Sequence, residues 1–323
     1  MKVISCLFGA VLTLAALPSA TAQQWPEQTV RIVVPFPPGG ANDVIARLLA
    51  EHFSKTIGGK YVVESATGAG GNLGTNQVAK AAPDGYTLVL SSSGPLANNT
   101  VLYKRMPYDP QKDLTPIALV CDFPMVLASR MTLAPANLKE FVALAKTKPG
   151  ELNVGTPGVG TMGHLTAELF QAKTGTKFQH VPSRGGYAAS ITALLAGDLD
   201  LMSDVMNGNI ASMITSGKIR GLAVTTRERF AGVPDFPTAT EQGVPMIAST
   251  TFALAGPAGM PPEVVETLNR EVNRYLQSSE GKQKLGALGA QIGGGPPRAV
   301  SEMMKNSIAQ WKPVIEAAGI SLQ

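Results

Sequence analysis

The chain has 323 residues, with 27 Lys and Arg against 23 Asp and Glu, three histidines and two cysteines. The mild positive balance comes without a basic run or interleaved aromatics, so nucleic acid is not an expected partner. With two cysteines and three scattered histidines (His52, His164, His180), neither a disulfide framework nor a metal cluster is expected.

The first residues read as an export signal. Lys2 supplies a positive start, Val3 to Leu17 is nearly unbroken apolar sequence, and Ala20-Thr21-Ala22 has the small-residue pattern of a cleavage site. Cleavage is expected after Ala22, which would remove Cys6 and leave Cys121 as the mature chain's cysteine. The apolar stretch is too short for a comfortable membrane span.

The next stretch, VRIVVPFPPGGANDVIARLLAEHF, predicts a buried strand over 30–35, a Pro-Pro-Gly-Gly turn and a helix over 41–57. Gly39 and Gly40 leave the backbone N–H groups of that turn uncovered at the positive end of a helix, an arrangement that favours an anion. The same residues would also serve as a plain strand-to-helix turn. A strand over 60–64 then leads through Gly68–Gly71 to a helix near 72–82, and Tyr86–Leu90 is the next strand. Ser91 to Pro95 reads as a loop, with the Ser92 and Ser93 hydroxyls available to a ligand. Residues 113–130 predict two short strands on either side of Asp122-Phe123-Pro124.

A second series follows: helix 137–147, strand 152–155, helix 161–174, strand 178–181, helix 187–196, strand 198–202, helix 208–216 and strand 220–224. Ser249–Ala255 is again strand-like. Two apolar stripes, one running from Val264 to Leu276 and one from Val300 to Ile315, predict helices whose core faces they are. The alternation predicts an α/β fold of mostly parallel sheets with helices on both faces. Ligands of such sheets sit beyond the carboxyl ends of the strands. Two α/β units crossing near 120–125 and 250–256 would enclose a cleft with a hinge.

The loop from Gly155 to His164 follows a strand and opens a helix. It contains a formal G-x-G-x-x-G at Gly158, Gly160 and Gly163. Three things oppose a dinucleotide site: no acidic residue follows about 20 positions on, the strand is not the first of its unit, and the expected compartment is poor in nicotinamide cofactors. In the loop Pro182-Ser183-Arg184-Gly185-Gly186, Arg184 can hold a carboxylate with its fork, or stand as a solvated loop arginine. Asp204 is a candidate acceptor for a ligand hydroxyl or amine, or a helix cap. His164 could contact ligand, or simply serve the first turn of its helix. No G-x-S-x-G elbow and no recurring carboxylate pair is present, so the loops have the means to hold a small anion and no evident means of transforming it.

These segments together resemble a known family. PFPPGGANDVIARLLAE, GAGGNLGTNQVAKAAPDGYTLVL, MPYDPQKDLTPIALV, GTPGVGTMGHLTAELF, HVPSRGG and LLAGDLDLMSD are similar to the Bug-type extracytoplasmic solute receptors of tripartite tricarboxylate transporters, from about Trp25 to Ile320. The resemblance implies a periplasmic-binding-protein (Venus flytrap) fold of two α/β domains with a hinge and an interdomain cleft: residues 23–122 with 254–323, and 123–253. It implies a periplasmic, monomeric, non-enzymatic protein without cofactor. Such a protein would capture a small carboxylate and deliver it to the large and small membrane subunits of a transporter. The family's carboxylate loop maps onto Phe36, Gly39, Gly40, Ala41 and Asn42, and the opposing loops onto Thr156, Gly158, Gly160, Thr161 and the Arg184-Gly185 region. Two departures stand out: Ser65-Ala66-Thr67 replaces the usual Asn-Arg-Pro, and Ser183-Arg184 replaces Tyr-Lys. The loss of that tyrosine implies a changed distal ligand group, larger or more anionic. A ligand sensor feeding a signalling system, and an exported hydrolase or isomerase, are the alternative readings.

Overall fold

A computed structural model describes residues 25–183, 186–230 and 232–323. The expected export signal, Arg184 and Gly185 lie outside the described residues.

Strands and helices alternate in chain order as β1 (Val30–Val34), α1 (Ala41–Thr56), β2 (Tyr61–Ser65), α2 (Asn72–Ala79), β3 (Thr87–Ser92) and the short α3 (Asn99–Leu102). They continue with β4 (Leu114–Arg130), α4 (Leu138–Thr147), β5 (Asn153–Thr156), α5 (Met162–Thr174), β6 (Gln179–Pro182), α6 (Gly186–Ala196), β7 (Leu201–Val205), α7 (Gly208–Thr215) and β8 (Ile219–Val224). The chain ends through β9 (Ser249–Pro257), α8 (Pro262–Gln277), α9 (Ser279–Ala287), β10 (Gln291–Ile292) and α10 (Arg298–Ala317).

The strands form one continuous path, β2-β1-β3-β9-β4-β7-β5-β6, with β10 and β8 also paired to β4. Between the named strands, parallel pairing is confined to the two arms, β2-β1-β3 and β7-β5-β6. The middle is antiparallel, because β9 runs against both β3 and β4, and β4 runs against β7 and β8. The α/β class therefore holds, while the expectation of mostly parallel sheets applies to the arms alone.

β4 is a single strand of 17 residues where two short ones were expected. It pairs with β9 from Leu114 to Pro124 and with β7 from Met125 onward. Proline cannot donate to a ladder, and it is tolerated where pairing is irregular or ends. Pro116 sits at a register shift against β9, and Pro124 sits at the change of partner, so both prolines are absorbed without a break. The second arm thus joins β4 directly through β7, and the first joins it through β9.

Helices cover both faces of each half. Ile32, Val34, Leu88 and Leu90 of the first arm meet Ile45, Leu49 and Phe53 of α1 and Leu268 and Val272 of α8, all fully buried. On the opposite face Val33 and Val89 meet Val78 of α2 and Val300 and Met304 of α10. In the second half, Leu127 and Leu201 pack with Phe141 of α4, Leu165 and Phe170 of α5 and Trp311 near the end of α10. The last helix therefore joins the core of one half to the core of the other. Its amphipathic stripe, legible in the sequence, could not say that it spans both.

Candidate functional site

A cavity of about 1010 Å³ opens where the parallel strands of the two arms end. The first arm contributes the β1–α1 turn, from Phe36 to Asn42, and the end of β3 with Ser92, Asn98 and Asn99. The second contributes the β5–α5 loop, with Pro157, Gly160 and Thr161, and Asp204 and Asn207 at the end of β7. Phe123 of β4 and Phe252 of β9, with ring centroids 5.1 Å apart, also line it, at the place where the two halves join. This position beyond strand carboxyl ends is the one expected of α/β ligand sites.

In the β1–α1 turn the Gly39 N–H, expected to be uncovered, is already taken. Gly39 has φ +82°, a conformation that side chains rarely adopt, and its N–H donates to Asp43 Oδ2 at 3.0 Å. Asp43 is held on its other side by Arg47, at 3.0 Å to each carboxylate oxygen, and that guanidinium keeps its pKa below the ordinary carboxylate range. Gly40 is the residue before the first helical turn and offers no side-chain cap to it. The first N–H groups of a helix have no partner within it and carry the positive end of its dipole. Asn137 caps α4, Thr161 caps α5 and Asn207 caps α7, while α2, α8 and α10 also begin without a side-chain cap. Beside the donors, Asn42 is 5% exposed and its Oδ1 has no partner among the described residues.

Across the cavity, the β5–α5 loop is tied down by its own helix. The Thr161 hydroxyl accepts from the His164 N–H at 3.4 Å and donates to the Gly158 carbonyl at 2.8 Å. His164 returns the bond, its Nδ1 accepting from the Gly160 N–H at 3.0 Å, while Nε2 lies 3.5 Å from Glu168. The His164 ring lies flat on His180, with centroids 3.9 Å apart and planes 7° apart. Burial, with the charge of His164 second, lowers the His180 pKa to about 4. His180 Nε2 bonds the Thr156 hydroxyl at 2.5 Å. The three glycines of the G-x-G-x-x-G are explained locally: Gly158 and Gly160 have positive φ, and Gly163 lets α5 approach β7.

Asp204 is the carboxyl group in the described lining. It is 3% exposed, its Oδ1 accepts from the Val205 N–H at 2.7 Å, and its Oδ2 has no partner among the described residues. Burial raises its pKa to about 7, opposed by the Val205 N–H. The residue lies within β7, paired with Val126, and not after the strand; the helix that follows is capped by Asn207 instead. The cap reading of Asp204 is thereby corrected.

Of the residues singled out from sequence, Phe36, Gly39, Gly40, Ala41, Asn42, Ser92, Gly160, Thr161 and Asp204 converge on this cavity. Ser93, Thr156, Gly158, His164 and Ser183 are not in its lining. Thr156 is fully buried under His180, His164 braces Gly160 from behind, and the Ser183 hydroxyl accepts from Ser190 at 2.9 Å. The expected loop after Ser91 is instead a wide helical turn, Gly94–Asn98, that runs into α3. It presents Asn98 and Asn99, which sequence reasoning missed although they follow the serine run directly. Asn99 is fixed by Asn72 Oδ1 at 2.7 Å, and Asn98 accepts from Ser307 of α10 at 2.7 Å.

Among the described residues, no cluster of His, Cys, Asp and Glu has the arrangement of a metal site. The described lining contains no Lys, Arg, His or Cys. The arrangement can hold an anion on backbone N–H groups and neutral amides and surround an apolar body with aromatic and proline surfaces.

The profile of the tripartite tricarboxylate transporter family receptors matches residues 45–320. Protein BugT of Bordetella pertussis is 36% identical over 308 residues, covering 94% of this chain and 93% of that protein. The structure of R. palustris Rpa4515 with adipate superimposes with a TM-score of 0.82 at 35% identity, covering 92% of this chain and 99% of the other. The periplasmic binding protein BugD superimposes with a TM-score of 0.78 at 33% identity, covering 93% and 100%. The chain belongs to the family of tripartite tricarboxylate transporter receptors.

Proposed function

We propose that this protein is a periplasmic receptor that captures a small carboxylate in its cavity and delivers it to the large and small membrane subunits of a tripartite tricarboxylate transporter, without transforming it. The observation that carries the reading is the uncapped start of α1 on the cavity wall, where Gly40, Ala41 and Asn42 line the space. A carboxylate there would accept from the free N–H groups and gain from the helix dipole. Phe36, Gly39 and Ser92 complete that side, and Gly160, Thr161 and Asp204 close it from the other. Adipate in the R. palustris relative, and the periplasmic location of BugD, support the same reading.

The two halves act as domains, residues 23–122 with 254–323 and residues 123–253, closing about the β4 and β9 crossing. Ligand that touches both halves favours the closed form, which the membrane subunits read. The protein works as a monomer after removal of the export signal at Ala22.

Thermal-shift screening against mono-, di- and tricarboxylates, with the corresponding amides as controls, tests this. A ligand that binds the native state raises the melting temperature. A shift with an acid that its amide fails to produce is expected. No shift across the whole panel, together with no acid released on denaturation in mass spectrometry, would sink the proposal.

A further inference from the structure

The wall that the second half gives to the cavity hangs on one ring nitrogen. Gly160 and Thr161 line the space, and the Gly160 N–H donates to Nδ1 of His164, in the first turn of α5, at 3.0 Å. A backbone N–H can only donate, so Nδ1 is without a proton and the neutral ring carries its proton on Nε2. Nε2 faces Glu168 Oε1 at 3.5 Å. A second proton can enter this ring only at Nδ1. There it would set one N–H against another, and Gly160 would lose its acceptor while Glu168 gained a cation. The stacked His180 does not compete for that proton: burial, and then the charge of His164, lower its pKa to about 4 against a smaller pull from Glu168. The elements packed on α5 are β4, β5, β7 and α10. Of these, β5 has no ionisable side chain and the charged residues of α10 are exposed. On β4, Arg130 pairs with Asp200, Asp122 is bonded to Thr251, and Cys121 is buried in the core of the first half. Glu168 and His180 are therefore the titratable groups that meet His164 among the described residues, and Asp204 of β7 titrates in the cavity lining.

We infer, building on the receptor reading above, that His164 is a positioning residue that couples ligand capture to a proton: the cavity is shaped for ligand while Nδ1 is bare, and proton uptake there unlocks the Gly160–Thr161 wall and releases the ligand. Histidine is the side chain whose charge ordinarily changes between pH 5 and 8. Gly160 stands at φ +78°, and its bond to His164 pins that left-handed turn to the helix behind it. The proton that takes away this bond gives Glu168 a charged partner, so the change exchanges one contact for another within the fold. Linkage fixes the sign. Ligand that favours the locked wall drives the proton off His164, and the proton weakens the ligand by the same factor.

Two variants separate the acceptor from the charge. In His164→Asn the amide oxygen can stand where Nδ1 stands and accepts at any pH; in His164→Leu nothing accepts. The first readout is amide hydrogen exchange of Gly160, followed by NMR on the ligand-free protein and corrected for the intrinsic effect of pH. From pH 8 to pH 5.5 the protection of Gly160 in the parent is expected to fall about tenfold or more, in step with protonation of the His164 ring. It should hold in His164→Asn and be low at both pH values in His164→Leu. Should the leucine variant not fold, the parent and the asparagine variant carry the comparison. The second readout is calorimetry with adipate as the probe. The loss of adipate affinity from pH 8 to pH 5.5 is expected to be about threefold or more greater in the parent than in His164→Asn. Asp204 and the acid's own titration act alike on both proteins. Unchanged Gly160 protection while the His164 ring protonates, or a ring still neutral at pH 5.5, would overturn the inference. So would the same pH dependence of adipate affinity in the parent and in His164→Asn, with the receptor reading left intact. Adipate bound by neither protein, with the carboxylate panel above also silent, would bring down the receptor reading, and Gly160 exchange would still decide whether the proton unlocks the wall.

Discussion

Gly163, in the first turn of α5, lies directly against Ser203 of β7. A β-carbon at Gly163 would collide with the Ser203 carbonyl oxygen and come within 2.7 Å of Pro157 Cδ. That contact brings the loop bearing Gly160 and Thr161 up to the strand bearing Asp204. Gly163→Ala is therefore expected to destabilise the protein by about 1–3 kcal/mol, the usual range for overpacking, and to weaken ligand binding as well. Urea denaturation of the variant checks the first point. A stability equal to that of the parent would mean that α5 does not rest on β7 as described.

Gly40 offers a cleaner test of the anion site. Its φ is −75°, and a β-carbon there would meet Pro37 O at an ordinary 3.6 Å, so a side chain fits. Gly40→Val should fold, at a cost of about 1 kcal/mol for a poor N-terminal residue. The isopropyl group would stand over the N–H groups of the first turn, and carboxylate affinity is expected to fall by about tenfold or more. Calorimetry on folded variant retaining full affinity would move the site away from α1.

Asp204 makes a prediction about acidity and stability. Its pKa of about 7 in the folded chain exceeds the ordinary carboxylate value near 4. Between those values the unfolded chain has lost its proton and the folded one has kept it. The contribution of Asp204 is therefore fully present below about pH 4 and is lost as the pH rises to about 7. Asp204→Asn removes the titration. The stability of the parent relative to this variant should decline by a few kcal/mol, in order of magnitude, from pH 4 to pH 8. Denaturation midpoints at the two pH values measure it, and a constant difference would contradict the buried, unpaired state of the carboxyl.

The stacked pair His164 and His180 predicts the opposite sign. His180 titrates near 4 in the folded chain, below the ordinary histidine value near 6.5. On acidification between those values the unfolded chain takes up a proton that the folded chain refuses, so this contribution to stability is lost as the pH falls. Proton NMR should show the His180 ring resonance still unprotonated at pH 5.5. A midpoint close to 6.5 would mean that the ring is open to water and not packed under His164 and Thr156. In His180→Gln the acid-linked loss should disappear, leaving the Asp204 dependence in view.

The order of strands and helices was legible because alternating apolar runs and glycine or proline punctuation are local signals. The β1–α1 turn was legible for the same reason: a strand, a Gly-Gly pair and a helix start are consecutive in the chain. Pro124 misled, since a proline is read as a break until the change of partner from β9 to β7 shows why it is tolerated. Thr156 and His164 also misled. They lie in the right loop, and their side chains turn to His180 and Gly160, away from the cavity.

The sequence by itself determined the α/β class, the likeness to solute receptors and the donor-rich turn from Phe36 to Asn42, all of which rest on residues close together in the chain. Tertiary structure alone decided that Asp204 and that turn line one cavity, that Phe123 and Phe252 line the junction of the halves, and that α10 ties the two cores together. Those relations follow from the antiparallel register of β4 with β9 and β7, which joins segments more than 70 residues apart. A long-range register is set by how whole faces pack, and no short window of sequence contains it.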